Sequence, residues 1–346
     1  LRALGHQVVV ATEYKPRTSA RGADDGYNAD AMLALHAWRS ARSIERFAKR
    51  YPGRPLIVVL TGTDIHRFQF SHPGPTLRSM ALADVLIVLH GEAAAHVPAR
   101  FRKKISVVYQ SAKPLVRAAR AIPRFEICVI GHLRAEKDPL RAALAARLLP
   151  AASRARVTQL GQAIGPEWKE AAENEARTNP RYRWFGEVPR ARVRAVMGQS
   201  HVMVISSVME GGANVVSEAA VAELPVIASR IPGNVGLLGR GYPGYFPLKN
   251  EKALARLLRR AEENPRFLDG LRRAVRARAK LFVPARERAM LGAALARAVD
   301  QLTAARAELE PAKTSRDALE RRIEELTATR TDLVKNVTAL IAQGDA

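Results

Sequence analysis

The sequence is short of the residues that several protein classes require. It has one cysteine, Cys128, in 346 residues, so neither a disulfide framework nor a cysteine-based zinc site can form within one chain. That suits a reducing compartment, and a cytoplasmic protein is the expectation. Aromatic residues make up 5%, and none are interleaved with a compact basic block, as a stacking groove for single-stranded nucleic acid would need. No apolar run is long enough to span a bilayer; "PLIVVL" and "DVLIVL" suit buried strands instead. No signal-peptide pattern opens the sequence. There is no G-x-G-x-x-G leading from a strand into a helix, no P-loop and no zinc-protease helix, which excludes the common dehydrogenase, kinase-like and metalloprotease classes. The histidines lack ligand spacing and there is no Asp-x-Asp triplet, so no metal and no other cofactor are expected.

Acidic residues are scarce too. Asp and Glu number 33 against 56 Lys and Arg, a formal net charge of +23. Such an excess invites a nucleic-acid partner. Here, however, arginine is spread through Ala-rich helical stretches such as "LRAALAARLL", "RARVRAV" and "LRRAVRARAKL". Diffuse charge of this kind fits an anionic small substrate better than specific nucleic-acid binding.

Short apolar runs alternate with helical patterns. Strand candidates are "HQVVVAT", "AMLALHA", "PLIVVLTG", "DVLIVLH" and "KISVVYQ", then "FEICVIG", "ARVTQLG", "YRWFGE", "HVMVISS" and "PVIAS". This alternation predicts an α/β protein with two doubly wound parallel sheets. The expected domains are residues 1–120, residues 121–283, a returning helix at 284–300 and a helical or coiled-coil tail at 301–346. In that tail Leu319, Ile323, Leu326, Leu333, Val337 and Leu340 keep a 4,3 spacing, a short seam through which two copies could associate. "LRALGHQVVVAT" reads as the end of a helix, a glycine turn and a strand. The expectation is therefore that a first strand, loop and helix start would precede Leu1.

The most informative stretch is "MEGGANVVSEAAVAELPVIAS". It follows the strand "HVMVISS", so Glu210, Gly211 and Gly212 fall in a βα loop. Glycines let backbone approach a ligand closely, and the next helix offers free N–H groups at Ala213, Asn214 and Val215, suited to a diphosphate. Carboxylates do not bind phosphate. Glu210 is placed to reach hydroxyls beyond it, and Glu218 to accept from a vicinal diol such as ribose. A second βα loop, "VIGHLRAEKDPLR", carries Gly131, His132, Arg134 and Lys137. Its two cations would neutralise a diphosphate and stabilise it as a leaving group.

Glu210 and Glu218 form the E-x(7)-E pattern of the retaining glycosyltransferase family 4. "AELPVIASRIPGN" resembles that family's G-x-P-V-V-A-S-x-x-G-G/N segment, with Leu224 where glycine is common. "VIGHLRAEKDP" resembles its G-R-L-x-x-x-K loop, with His132 in the arginine place. The resemblance spans residues up to about 300. It implies a GT-B fold, two domains facing a cleft, and no bound metal. Narrower still, "LALHAWRSARSIERF", "VVLTGTDIHR", "VVYQSA", "GHLRAEKDPLRAA", "NPRYRWFGEVP", "EGGANVVSEA" and "GLLGRGYPGYFPL" together resemble the selenosugar synthases of selenoneine biosynthesis. That resemblance implies a UDP-sugar donor, UDP-N-acetylglucosamine or UDP-glucose, and selenophosphate as acceptor. "VVLTGTDIHR" matches a family loop that reads H-G-T-D, with Thr61 in the histidine place. Thr61, Gly62, Thr63 and Asp64, with His36, Arg39 and His66, are then the acceptor-side candidates. Two other readings fit the same residues: a family 4 enzyme with a hydroxyl acceptor on a lipid or glycan, and a non-catalytic interaction protein on a degenerate scaffold.

The charge pattern makes one prediction. Binding to duplex DNA should be weak and lost as salt rises to the physiological range, because only diffuse phosphate contacts are available. A fluorescence-anisotropy titration that found nanomolar binding persisting at that salt would contradict it.

Overall fold

The computed structural model describes residues 1–15, 28–115, 123–309, 325–327 and 329. It divides into two compact units. One comprises residues 1–108 with 288–346, the other residues 109–287. The sequence-based switch at residues 120–121 lies about a dozen residues beyond the first of these divisions. The coiled-coil seam lies outside the described residues except for Leu326, which is exposed.

The first unit holds a four-stranded parallel sheet in the order β1 (Met32–Leu35), β2 (Leu56–Val59), β3 (Val85–Val88) and β4 (Ile105–Val107). β3 is buried along its whole length and β2 along all but its last residue, as expected for parallel strands covered on both faces. On one face the helix Ala41–Arg50 buries Ile44 and Phe47. On the other, Ala294 and Ala298 of the helix Pro284–Leu309 pack on Ile57, Val85 and Ile87. Arg297 ties that helix to the sheet, donating to the Ile105 carbonyl at 2.9 Å.

The second unit holds six parallel strands in the order β10-β9-β8-β5-β6-β7. They are β5 (Phe125–Ile130), β6 (Ala155–Leu160), β7 (Tyr182–Trp184), β8 (Val202–Ile205), β9 (Val226–Ser229) and β10 (Tyr245–Phe246). The chain runs outward from β5 through β7, returns to the other side of β5, and runs outward again. Strand order therefore reverses between β5 and β8, which pair through Ile127↔Val202 and Cys128↔Met203. In doubly wound sheets, ligands bind outside the strand C-termini at such a reversal. Proline at the first turn starts the helices Pro166–Thr178, Pro232–Leu238 and Pro265–Ala279, where its missing N–H costs nothing. Asn250 and Asn264 cap the helices that follow them, each accepting from the backbone N–H three residues on.

Nine of the ten runs read as strands form them. The exception is "HQVVVAT". A short helical turn at Arg2–Leu4 ends on Gly5 at φ 87°, as a helix end and glycine turn should, but residues 6–12 take no strand. Val9 and Val10 are largely exposed. A β run without a neighbour to complete its hydrogen bonds is not a strand, whatever its side chains prefer. The two-residue strand β10 was not anticipated. It lies in a glycine- and proline-rich stretch and gains its conformation by pairing with Ala228 and Ser229. Among the described residues, no helix is long and apolar enough to cross a membrane.

Candidate functional site

The reversal between β5 and β8 brings together the two loops that the sequence singled out. After β5 the chain turns at Gly131, φ 154°, and continues through His132 and Arg134 to a short 3-10 turn at Ala135–Lys137. Asp138 ends that turn in the left-handed region at φ 44°. After β8 it runs through Ser206, Ser207, Glu210, Gly211 and Gly212 into the helix Asn214–Val221. The loops are stitched by backbone and hydroxyl bonds. The Val208 N–H donates to the Glu136 carbonyl at 2.9 Å, and the Ser206 hydroxyl to the Asp138 carbonyl at 2.8 Å.

At their junction Lys137 Nζ donates to Glu210 Oε1. The Ser207 hydroxyl donates to the same oxygen at 2.6 Å. Both charged side chains are mostly buried, at 23% and 9% exposure, so removing either would strand its partner's charge in a poorly hydrated place. Beside them a small open recess is lined by Gly131, His132, Lys137, Gln159, Ser206 and Ser207 among others. The sequence reading gave Lys137 and Glu210 separate ligand roles. The structure pairs them.

The other residues fall around this junction. Arg134 is half-exposed, its Nε 4.0 Å from Glu136 Oε2. His132 Nδ1 accepts from the Gln162 N–H at 3.2 Å, so its ring braces the neighbouring loop after β6. Glu218 lies in the first turns of the helix that Gly211, Gly212 and Ala213 lead into, and Asn214 and Val215 begin that helix. Its carboxylate accepts from Arg190 Nη2 at 3.2 Å.

Several supporting residues escaped the sequence reading. A side chain on Gly161 would put its Cβ 2.0 Å from the Gly131 carbonyl oxygen, and one on Gly233 would put it 2.5 Å from that of Glu210. Both glycines therefore let backbone pass directly against the site loops. Asn234, fully buried, donates to the Ser229 carbonyl at 2.9 Å, and the Ser229 hydroxyl donates to the Ser207 carbonyl at 2.6 Å. The segment "PVIASRIPGN" thus props up the Glu210 loop. Gln159 accepts from the Tyr182 hydroxyl at 2.9 Å, while its buried Nε2 has no partner among the described residues. The glycines were visible as letters, but what each touches was not.

The acceptor-side candidates form a cluster of their own in the first unit. β1 and β2 are adjacent and parallel, so the residues just past their C-terminal ends meet. His36 follows β1 and occupies φ 79°, a backbone conformation that costs a non-glycine residue stability. Its Nδ1 lies 2.6 Å from Asp64 Oδ1 and its Nε2 3.1 Å from Thr63 Oγ1. Asp64 is fully buried. Its carboxylate also accepts from the backbone N–H groups of Trp38 and Thr61 and from the Thr61 hydroxyl, at 3.1, 2.9 and 2.9 Å. Asp64 is therefore occupied within the protein. Gly62 is buried, Thr61 and Thr63 are half-buried, and Arg39 is exposed. His66 packs on His96 instead, with ring centroids 5.1 Å apart, and burial, with the nearby His96, lowers its affinity for a proton. Trp38 stacks on Phe68 at 4.1 Å beside the cluster.

Burial alone would push the Asp64 carboxyl up. The hydrogen bonds from His36 and from the Thr61 backbone more than offset it, and the group sits below the ordinary aspartate range. Its contribution to stability is therefore present above the unfolded-state value and is lost as pH falls through the folded one. Urea unfolding of the whole chain should lose stability across that acidic window. Asp64→Asn should remove part of this pH dependence and cost about 1–3 kcal/mol at neutral pH, as buried donors left without their charged acceptor do. A variant with wild-type stability and wild-type pH dependence would show that the carboxylate is not held as described.

Comparison with known proteins agrees with this architecture. Residues 116–282 match the family model described as glycosyl transferases group 1. Among solved structures, the chain is similar to Anabaena Alr3699/HepE in complex with UDP-glucose, at TM-score 0.62 and 15% identity over 81% of this chain and 79% of that one. It is also similar to a sucrose-phosphate synthase from Thermosynechococcus elongatus, at TM-score 0.64 and 17% identity over 81% and 75%. A third is the lipopolysaccharide outer core galactosyltransferase WaaB, at TM-score 0.57 and 16% identity over 78% and 76%. Residues 116–282 therefore form a group 1 glycosyltransferase domain within the second unit, and the two parallel-sheet units have the GT-B fold of such enzymes.

Proposed function

We propose that the chain transfers a sugar from a UDP-sugar, UDP-N-acetylglucosamine or UDP-glucose, to selenophosphate, forming a carbon–selenium bond in the cytoplasm. The observation that carries the donor half is the Lys137–Glu210 pair at the strand-order reversal. It puts a cation, a glycine pair and a helix N-terminus at one place, with Arg134 close by. A diphosphate would sit against Lys137, Arg134 and the N–H groups that open the helix Asn214–Val221. As the glycosidic bond breaks, charge grows on the leaving UDP, and these donors stabilise it. Glu218 would take the ribose diol in place of Arg190. Glu210, steadied by Ser207, would reach the sugar hydroxyls. Structures of similar fold solved with UDP-glucose and with UDP support a uridine nucleotide.

The acceptor half rests on the likeness of "VVLTGTDIHR" and its companion stretches to selenosugar synthases, with Thr61, Gly62 and Thr63 as the acceptor-side loop. A hydroxyl acceptor on a lipid or glycan is the second reading. The hydrogen-bonded His36–Asp64 pair favours it, since a hydroxyl must lose a proton as it attacks.

The deciding experiment incubates the enzyme with several UDP-sugars and selenophosphate and looks for a selenosugar by mass spectrometry. A selenium-bearing sugar is expected. Transfer to an alcohol with none to selenophosphate would replace the first reading by the second. Separately, Glu218→Gln should weaken UDP binding by about 1–3 kcal/mol through loss of a charge-assisted acceptor. Calorimetry that found unchanged UDP affinity would remove Glu218 from the nucleotide site.

A further inference from the structure

The turn that carries Lys137 is held by an arginine outside the recess. Asp138, the next residue, lies in the left-handed region at φ 44° and ψ 57°. Glycine enters that region freely and Asn or Asp at some cost, so a residue with a Cβ stays there only when its surroundings hold it. Here they do. Arg141 Nε donates to Asp138 Oδ2 at 2.8 Å and Nη2 donates to Oδ1 at 3.2 Å, a two-pronged contact on one carboxylate. The remaining nitrogen, Nη1, donates to Glu251 Oε2 at 2.5 Å, at the start of the helix Glu251–Glu263. From the other side, the Ser206 hydroxyl donates to the Asp138 carbonyl at 2.8 Å and lies 3.2 Å from the Lys137 carbonyl. The Lys137 N–H donates to the Arg134 carbonyl at 2.9 Å. The chain can therefore turn down into the helix Arg141–Arg147 while Lys137 stays directed at Glu210.

Charge gives the same arginine a second task. Glu136, Asp138 and Glu210 all stand at the two loops, where the diphosphate needs cations. Asp138 is the chain neighbour of Lys137, and a carboxylate there would compete with Glu210 and with any anionic ligand for the ammonium. Arg141 engages both of its oxygens. The side chains of Arg141 and Asp138 are only 16% and 17% exposed, so water does little to weaken the pair. All three guanidinium nitrogens of Arg141 are bonded to carboxylates, and the residue does not line the recess. It is thus placed to act on Lys137 and not on a ligand. A tie between two helices would need the Glu251 contact alone. The two-pronged bond to Asp138 is the part that reaches the site.

We propose that Arg141, acting through Asp138, is a positioning residue for sugar transfer: it fixes the left-handed turn that aims the Lys137 ammonium at the diphosphate, and it keeps the neighbouring carboxylate from drawing that ammonium away. The inference rests on the donor half of the function proposed above. As the bond from the anomeric carbon to the UDP oxygen breaks, its electron pair leaves on UDP, and Lys137 must already be in place to meet that charge. No atom of Arg141 touches the substrate.

Two measurements on the full chain test it. In the first, UDP release from UDP-glucose and UDP-N-acetylglucosamine is followed with selenophosphate, glycerol or water alone as acceptor. Arg141→Gln should lower kcat by about tenfold to a hundredfold, as a misplaced catalytic group does, with little change in donor KM. Adding Asp138→Asn should restore most of the rate, because asparagine keeps the left-handed turn and brings no charge to compete for Lys137. Glu251→Gln, which cuts the tie to the other helix and spares the Asp138 contact, should leave kcat near the wild-type value. On a Lys137→Ala background, Arg141→Gln should cost nothing further, since the two act through one group. An arginine that merely stabilised the fold would cost the same with or without Lys137 and would not be rescued by Asp138→Asn; either result overturns the proposal. Should Arg141→Gln be too unstable to purify, Arg141→Lys, which loses the two-pronged contact, takes its place with the same order of rates expected. In the second, crystal structures should show Lys137 Nζ displaced from Glu210 in Arg141→Gln and returned to it when Asp138→Asn is added. Lys137 still seated on Glu210 in the single variant would overturn the proposal whatever the reaction proves to be. A wild type that releases no UDP from either donor would sink the donor reading, and the crystal structures would still decide what Arg141 does to Lys137.

Discussion

The contact between Lys137 and Glu210 joins two loops 73 residues apart in the chain, and the candidate site of the second unit depends on it. Each loop leaves a buried parallel strand with no fixed course of its own. Backbone bonds between Val208 and Glu136 and from Ser206 set their separation, and the ion pair sets their facing side chains. A charge pair this buried stabilises little relative to an apolar pair of the same shape, but it cannot be half-removed cheaply. It therefore specifies one arrangement of the loops more than it adds to overall stability. Gly233 and Asn234 serve the same end from below, by allowing backbone against Glu210 and by holding Ser229 under Ser207.

The two units use one physical rule with different side chains. Where neighbouring parallel strands end together, short loops bring distant residues within hydrogen-bonding reach. At β5 and β8 the rule gathers Lys137, Glu210 and Ser207. At β1 and β2 it gathers His36, Thr61, Thr63 and Asp64. The first set is charged and lies beside an open recess. The second is closed on itself, with its carboxylate fully buried.

Much of this was legible in the sequence, for identifiable reasons. Apolar runs such as "FEICVI" and "HVMVIS" mark buried strands because both faces of a parallel sheet are covered, and Gly-Gly followed by a helical pattern marks a βα loop. Strand order was not legible. Nothing local in "HVMVIS" says that it pairs with β5 instead of β7, and the meeting of Lys137 with Glu210 follows only from that. Asp64 read as a ligand contact because its motif places it in a site loop; its four hydrogen bonds inside the protein need the fold to be seen. "HQVVVAT" misled because β-branched composition reports what a strand would favour, not whether a neighbouring strand is there to receive it.

The first unit is assembled from two stretches of chain that leave the ribosome at different times. Ile57, Val85 and Ile87 are covered by Ala294 and Ala298, which are made only after all of residues 109–287. At ordinary elongation rates that interval lasts roughly ten to forty seconds. During it the nascent sheet presents an apolar face with no partner from its own unit, while the second unit, continuous in sequence, can complete its core. The order of synthesis thus leaves that face of the first unit uncovered until the returning helix emerges, shortly after Phe282 completes the core of the second. Damage to Ala294 or Ala298 would then show itself in the yield of folded protein during synthesis more than in the chemistry of the finished enzyme.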